Sequence, residues 1–308
     1  MKIAFLFPGQ GSQSVGMGRA LGAASPAAAA VWREADRALG FPLSRLCFEG
    51  PGEELQLTAN TQPAVLTASV AAAAALGERG VEPDLCAGHS LGEYSAMVVT
   101  GAIGFGDAVR LVRKRGEFMQ EAVPVGAGAM AALLGLDLDA ARAVAEEAAQ
   151  GQVCAVANDN GAGQVVVSGD KAAVERAVAV AATKGAKRSI LLPVSAPFHC
   201  PLMAPAAREM EEALAEVELR EPYVPLVANV TAAPVSEPEE IKSLLVAQVT
   251  GLVRWRESVL AMKAAGVTEL VELGAGRVLS GLAKRIDREL ATASVGGPAE
   301  IEAFVKTL

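Results

Sequence analysis

Histidine and cysteine are scarce in this 308-residue chain, which has two of the former and four of the latter. The cysteines form no C-x-x-C pair, and two histidines are too few for a typical zinc site, so neither a zinc centre nor a dense disulfide framework is indicated. We therefore expect reduced thiols, a cytoplasmic location and no metal or other cofactor. The cysteines are Cys47, Cys86, Cys154 and Cys200.

Long apolar runs and an excess of positive charge are also missing. The most apolar stretch, AVLTASVAAAAALG, is shorter than the roughly 18 residues of a membrane-spanning helix, and polar residues interrupt it. The N-terminal apolar run ends at Pro8, too early for the core of a signal peptide. The formal net charge is −8, which gives no overall attraction to nucleic acid or to an anionic membrane. Neither is an expected partner.

What is present is a hydrophobic, globular composition with alternating strand and helix patterns. Hydrophobic residues make up 52% of the chain and charged residues 20%. Short buried-strand patterns, KIAFLF and DLCAGH, are followed by helical patterns such as FGDAVRLVRKRGEFMQEA. This alternation favours an α/β body with a mostly parallel sheet, of the α/β-hydrolase-like kind in which a serine follows a strand.

A different order of strand and helix patterns begins near VPVGAGAM and ends near Pro193. The pattern there reads strand, helix, strand, strand, helix, strand, which is the order of the ferredoxin-like unit. We therefore predict a large α/β domain formed by residues 1–125 and 194–308. A small ferredoxin-like (βαββαβ) α+β subdomain is predicted to interrupt it over residues 126–193.

The segment from Gly88 to Gly92 places Ser90 between two glycines, after a strand pattern and before a helix pattern. A nucleophilic serine needs such a sharp turn, because the turn exposes the hydroxyl and points amide N–H groups at the developing oxyanion. The alternative is an ordinary turn in which Ser90 caps the helix. The strand and helix on either side favour a nucleophile elbow.

The scarcity of histidine limits the choice of a base for this serine. His89 is adjacent to Ser90 in the chain, so its side chain is expected to diverge from the hydroxyl. His199 lies in SAPFHCPLM, a Pro-punctuated loop that suits a catalytic group, although a solitary loop histidine can also be a solvent-facing residue. Exclusion makes His199 the candidate base.

Two glycine-rich stretches imitate a dinucleotide-binding fingerprint. In GQGSQS the third glycine position holds Ser14, and GAGAMA leads into a strand pattern where a helix would be required. We therefore do not predict a dinucleotide cofactor.

Six segments, in this order, resemble the malonyl-CoA:acyl carrier protein transacylase family within the acyltransferase domain proteins. They are FPGQGSQ, GHSLGEYSA, VRKRGEFMQ, NDNGAGQVVVSG, SAPFHCPLM and LVAQVTGLVRW, and they span nearly the whole chain. The resemblance implies transfer of malonyl from malonyl-CoA to the phosphopantetheine thiol of acyl carrier protein. The transfer would be ping-pong through a malonyl-serine intermediate and would supply extender units for fatty acid synthesis.

The resemblance also implies roles for individual residues. Ser90 and His199 would form a catalytic dyad. The main-chain N–H groups of Gln10 and Leu91 would form the oxyanion hole, and the main-chain carbonyl of Gln248 would orient His199.

Two further residues would determine which acyl group is accepted. Arg115 would pair with the malonyl carboxylate, since a guanidinium holds a planar anion with two hydrogen bonds; otherwise it is part of a solvated helix face with Arg113 and Lys114. Phe198 would restrict the space for an α-methyl group.

The expected partners are malonyl-CoA and acyl carrier protein, and the expected state is a monomer. The anionic groups of both partners need local cations, for which we select Lys184, Lys187, Arg188, Arg254, Arg256, Lys284 and Arg285. Two other functions stay open. One is a serine esterase or thioesterase, in which water replaces the carrier thiol. The other is a carrier-binding scaffold, which would be expected to lack Ser90 or His199.

Overall fold

A six-stranded sheet is at the centre of the computed structural model, which describes residues 2–308. Before the predicted insertion, the chain contributes two adjacent strands of this sheet and the helices that follow them. These elements are β1 (Ile3–Phe7), α1 (Arg19–Ala24), α2 (Pro26–Leu39), α3 (Leu43–Glu49), α4 (Gly52–Leu55), α5 (Thr58–Gly77), β2 (Leu85–Gly88), α6 (Gly92–Val99) and α7 (Phe105–Glu121).

A second, antiparallel sheet follows, with two helices. Its elements are β3 (Gly128–Leu134), α8 (Leu138–Ala149), β4 (Cys154–Asp159), β5 (Gln164–Asp170), α9 (Lys171–Thr183) and β6 (Arg188–Leu191). The strand order is β4-β5-β3-β6, and each neighbouring pair is antiparallel. This confirms the predicted βαββαβ order of a ferredoxin-like unit. The domain boundaries at residues 125/126 and 193/194 stay predictions.

The remainder of the chain returns to the large sheet. Its elements are the 3₁₀ turn Pro201–Met203, α10 (Ala204–Ala215), β7 (Leu226–Val227), β8 (Pro234–Val235), α11 (Pro238–Thr250), α12 (Trp255–Ala264), β9 (Glu269–Leu273), α13 (Val278–Ile286), β10 (Ala291–Val295) and α14 (Pro298–Val305). The sheet order is β10-β9-β1-β2-β7-β8, and all pairs are parallel except β7 with β8. The mostly parallel α/β body is thus confirmed.

The central strand β1 is buried on both faces, as parallel strands between helices are. Phe5 and Phe7 pack into the larger apolar cluster, which includes α5. Ala4 and Leu6 point to the opposite face, where α12 and α13 cover the sheet. Alternate residues therefore contribute to two separate cores. Within residues 2–308 no helix combines the length and hydrophobicity needed to cross a membrane.

Three strands of the large sheet deliver side chains to one edge. β2 pairs in parallel with β1 on one side and with β7 on the other. The carboxyl ends of β1, β2 and β7 are followed by Gln10, Ser90 and Asn229, respectively. Ligands bind at the carboxyl edge of open α/β sheets. β7 ends at Val227, earlier than the pattern PLVANV predicts, because the chain turns there: the N–H of Ala232 donates to the Ala228 carbonyl at 2.8 Å.

The small sheet lies over this edge. Met130, Ala132 and Val166 on one of its faces join the large apolar cluster of the body, while the opposite face packs on α8 and α9. Main-chain hydrogen bonds of 2.9 Å also connect β4 to Val253 of the body. The insertion is therefore fixed to the body and forms one wall of the cleft.

Candidate active site

The turn around Ser90 has the geometry of a nucleophile elbow and needs its glycines. Ser90 has a φ of +52°, in the left-handed region that few residues other than glycine adopt. A Cβ at Gly88 would lie 1.9 Å from the carbonyl carbon of Gly92, and a Cβ at Gly92 would lie 1.9 Å from the Phe7 oxygen. The alternative of a capping serine is wrong: Leu91 is the N-cap of α6, and no side chain caps that helix.

Replacing Gly88 with alanine should destabilise the protein by at least about 3 kcal/mol, because the added methyl meets main-chain atoms that cannot move independently. The matched control is Gly77→Ala at the end of α5, where nothing lies within 4 Å of the new methyl. That variant should gain about 0.5–1 kcal/mol, as alanine favours helix. Thermal unfolding of both variants measures the difference, and equal melting temperatures would contradict this view of the elbow.

Ser90 and His199 are hydrogen-bonded to each other, although they are 109 residues apart in the sequence. Ser90 Oγ and His199 Nε2 are 2.8 Å apart, and His199 Nδ1 is 2.8 Å from the main-chain oxygen of Gln248. A carbonyl oxygen can only accept, so Nδ1 carries the proton and Nε2 is free to accept from the Ser90 hydroxyl. His199 is 4% exposed, so it is not a solvent-facing loop residue.

The environment keeps His199 neutral. Burial, and secondly the positive charge of Arg115, lowers the pKa of His199 to about 3. His89, in contrast, turns away from the serine as predicted. Its Nε2 is 2.9 Å from Asn160 Oδ1, and its ring lies 5.6 Å from that of Trp255. Of the two histidines, only His199 is bonded to Ser90.

Arg115 is buried within the site, so the interpretation of a solvated helix face is wrong for this residue. It is 2% exposed, whereas Arg113 of the same helix forms a partly exposed ion pair with Glu117. The Arg115 guanidinium donates from Nη1 to Gln62 Oε1 at 2.8 Å. From Nη2 it donates to Gln248 Oε1 at 2.9 Å and to Ser90 Oγ at 3.1 Å. A fixed positive charge therefore lies beside the Ser90 hydroxyl, held by neutral acceptors.

Three residues that support this arrangement were not predicted from the sequence. Asn229 accepts from the Ser90 N–H at 2.7 Å and donates to the Gly88 oxygen at 2.6 Å. Gln62 holds Arg115, and Glu93 holds the Gln248 amide at 2.5 Å. The available signal was polarity in apolar surroundings: Gln62 directly precedes the apolar run PAVLTASVAAAAALG, and Glu93 is the one charged residue of GEYSAMVV.

These groups face a cavity of about 130 Å³ between the body and the small sheet. Its lining comprises Gln10, Gln62, His89, Ser90, Leu91, Arg115, Met119, Met130, Asn158, Leu192, Val194, Phe198 and His199. All the predicted catalytic, oxyanion-hole and acyl-selecting residues thus line one cavity. Gln248 is directly behind it and is bonded to both His199 and Arg115.

Two backbone amides are available beside Ser90. The loop after β1 passes so near the elbow that a Cβ at Gly9 would lie 2.6 Å from the His89 oxygen. Within residues 2–308 the N–H groups of Gln10 and Leu91 donate to no protein oxygen. Leu91 also stands at the N-terminus of α6, where the helix dipole favours negative charge.

The candidate anion-binding cations differ in whether they already form an ion pair within the protein. Lys184, Arg254 and Arg256 already pair with Glu147, Glu257 and Asp159. Lys187, Arg188, Lys284 and Arg285 form no ion pair with an acid in the described part of the chain. The second group is therefore the better candidate for contacts with anions, and the docking surface stays a prediction.

Comparisons with known proteins give a consistent result. Residues 4–292 match the family described as "Acyl transferase domain". A malonyl CoA-acyl carrier protein transacylase of Bacillus subtilis is 50% identical over 308 residues, covering 100% of this chain and 97% of its own. A protein of that name from Escherichia coli is 49% identical over 306 residues, covering 99% of each.

Solved structures agree over the same length. An acyl-carrier-protein-S-malonyltransferase from Bartonella henselae superposes with a TM-score of 0.97 at 50% identity, covering 100% of this chain and 99% of its own. A malonyl-transacylase solved with a type II PKS acyl-carrier protein gives 0.98 at 45% identity, covering 100% of both chains. Because the acyl transferase model matches residues 4–292 and relatives about half identical cover the whole chain, the chain belongs to the malonyl CoA-acyl carrier protein transacylase family of acyl transferases.

Proposed function

We propose that this protein transfers the malonyl group of malonyl-CoA to the phosphopantetheine thiol of acyl carrier protein through an ester on Ser90. The observation that carries the proposal is the contact of Ser90 Oγ with two groups at once. His199 Nε2 is 2.8 Å away and can take the hydroxyl proton, while Arg115 Nη2 is 3.1 Å away and can attract an anionic acyl chain.

The first half-reaction follows from the tautomer of His199. As Ser90 Oγ attacks the thioester carbonyl carbon, its proton moves to Nε2, and the Gln248 carbonyl stabilises the resulting imidazolium through Nδ1–H. The amides of Gln10 and Leu91 donate to the oxyanion. When the carbon–sulfur bond breaks, His199 returns the proton to the CoA sulfur and the malonyl ester remains.

The second half-reaction reverses these roles. The pantetheine thiol gives its proton to His199 and attacks the ester carbonyl, and Ser90 Oγ leaves with that proton. Arg115 holds the distal carboxylate in both halves, which favours malonyl over acetyl. The dyad has a main-chain carbonyl where hydrolases of this type have an acid.

The acylation rate should not follow the ordinary titration of histidine. Since burial and Arg115 lower the pKa of His199 to about 3, its neutral, active form persists throughout the range from pH 5 to 8. With acetyl-pantetheine, which lacks both the acyl carboxylate and the CoA phosphates, the rate should stay constant over that range. A rate that falls toward low pH with a midpoint near pH 6.5 would contradict the lowered pKa of His199.

Phe198 is proposed to limit the size of the acyl chain. It is 9% exposed and lies on the cavity directly before His199. Phe198→Ala should raise the rate on methylmalonyl-CoA relative to malonyl-CoA by about tenfold, since a pocket discriminates a methyl group by only ~1–3 kcal/mol. Competition between the two donors measures the ratio, and the partly exposed Phe118→Ala of α7 is the control.

The decisive test of the proposed function separates transfer from hydrolysis. Wild-type protein is incubated with malonyl-CoA, with and without acyl carrier protein bearing its phosphopantetheine arm, and both proteins are weighed intact. Malonyl mass on the enzyme alone, which moves to the carrier when it is added, supports transfer. CoA release without either adduct would identify a hydrolase, and no reaction at all would favour a scaffold.

Several attributes accompany this proposal. Extender-unit supply for fatty acid synthesis is the proposed role, and a cytoplasmic location and a monomeric state are proposed with it. The reaction as written balances without a metal or redox cofactor, because only the acyl group and protons move.

A further inference from the structure

Glu93 is a buried acid that the reaction above does not use. It is 4% exposed, belongs to α6 three residues after Ser90, and accepts from Gln248 Nε2 at 2.5 Å and from the Asn229 N–H at 3.3 Å. A buried carboxylate is costly unless it is paired or hydrogen-bonded. Both of its partners also hold the catalytic residues, so its position links it to the site.

The Gln248 side chain connects Glu93 to Arg115. Its Nε2 donates to Glu93 and to the Ser90 carbonyl, and its Oε1 accepts from Arg115. A carboxylate can only accept, so Glu93 fixes which end of the Gln248 amide faces the guanidinium. In the described residues Arg115 donates to no carboxylate. The acid connected to it is Glu93, with the side-chain amide of Gln248 between them.

We propose that Glu93 is a positioning residue whose negative charge, acting through the Gln248 amide, limits how strongly Arg115 holds the malonyl carboxylate. This inference rests on the proposed function. A guanidinium beside the nucleophile selects malonyl, but an uncompensated one would also over-stabilise the malonyl-enzyme and oppose the onward transfer. Partial compensation at a distance keeps the ester poised between its two thiol partners.

The quantity to measure is the equilibrium constant of the first half-reaction, in which enzyme and acyl-CoA form acyl-enzyme and free CoA. Intact mass after rapid quenching gives this constant for malonyl-CoA and for acetyl-CoA. Glu93→Gln retains the length of the side chain and an acceptor oxygen but removes the charge. The malonyl constant should rise about tenfold while the acetyl constant stays unchanged, because only malonyl has the distal carboxylate.

The ratio of the two constants distinguishes this role from a merely structural one. A general distortion of the elbow would move both constants together, as would a change in serine reactivity. Glu272→Gln is the matched control, since Glu272 is 1% exposed and caps the start of α13 away from the cavity. That variant should leave the ratio unchanged.

The wild type offers the same test without a substitution. Burial raises the pKa of Glu93 to about 7, against the opposing effects of Gln248, Asn229 and Arg115. Among the groups around it, burial lowers the pKa of Arg115, which nevertheless stays charged because a guanidinium is not deprotonated in proteins. Burial raises the pKa of Tyr94 to about 12, and His199 is neutral. Lowering the pH from 8 to 6 should therefore protonate Glu93 and raise the malonyl-to-acetyl ratio by severalfold.

The possible outcomes distinguish a failure of the inference about Glu93 from a failure of the proposed function. A ratio that rises in Glu93→Gln and at low pH in the wild type supports the inference. An unchanged or lower ratio in a folded variant, or a wild-type ratio independent of pH, overturns it and leaves the proposed function intact. No malonyl adduct on the wild type would overturn both.

Discussion

Replacing Ser90 with alanine should eliminate the malonyl-enzyme adduct and reduce malonyl transfer at least about 10⁴-fold, the scale seen when a serine nucleophile is removed. The reason is geometric: among the described groups, Ser90 Oγ is the hydroxyl bonded to His199 Nε2, so no other oxygen is positioned to lose its proton to the base. Intact mass after incubation with malonyl-CoA and the rate of carrier malonylation measure the two losses.

Ser95→Ala is the matched control for this experiment. Ser95 is on α6, the helix that follows Ser90; it is fully buried and its Oγ has no hydrogen-bond partner in the described chain. Its substitution should leave adduct and rate within about twofold of the wild type. A malonyl adduct that persists in Ser90→Ala would show that another residue is the nucleophile and would contradict the proposed mechanism.

Replacing Arg115 with alanine should lower kcat/KM for malonyl-CoA by roughly 10²–10³-fold, the range for removing one partner of a buried charge pair. The value for acetyl-CoA should change by less than about tenfold, because acetyl has no carboxylate for the guanidinium to hold. Arg115→Lys should not restore selectivity, since one ammonium cannot serve Gln62, Gln248 and Ser90 from the positions of Nη1 and Nη2.

Arg113→Ala provides the control on the same helix. Arg113 contacts Glu117 at the surface, and such pairs contribute at most about 1 kcal/mol to stability. Its kinetics should match the wild type. Because Arg115→Ala also leaves two buried amides without a donor, its folding is checked by thermal unfolding first. Equal losses on malonyl and acetyl would refute a role in selectivity.

Much of the site could be predicted because its signals are local. The spacing of Gly88, Ser90 and Gly92 reflects a turn in which main-chain atoms leave no room for a Cβ, and that requirement is expressed within five residues. The scarcity of histidine reduced the choice of base to His199. The two-residue and 3.6-residue periodicities of the small sheet and its helices predicted the ferredoxin-like order, which the structure confirms.

The roles of Gln62, Glu93 and Asn229 could not be predicted, because a polar residue in an apolar run does not show which side chain it will contact. Glu93 and Gln248 are 155 positions apart, and Asn229 is 139 positions from Ser90. Their contacts exist only because β2 and β7 are neighbours in the sheet and α11 returns beside α6. An isolated amide or acid in the sequence has no partner until the fold supplies one.

The sequence by itself determined the family, the α/β body with its insertion, the serine turn and the set of candidate residues, since each is encoded in short-range spacing or in composition. Only the tertiary structure decided that Arg115 is the buried arginine of its run and that His199 is neutral. The burial of a side chain, and the pKa that follows from it, depends on all the elements packed around it. Those elements come from distant parts of the sequence and meet only in the folded chain.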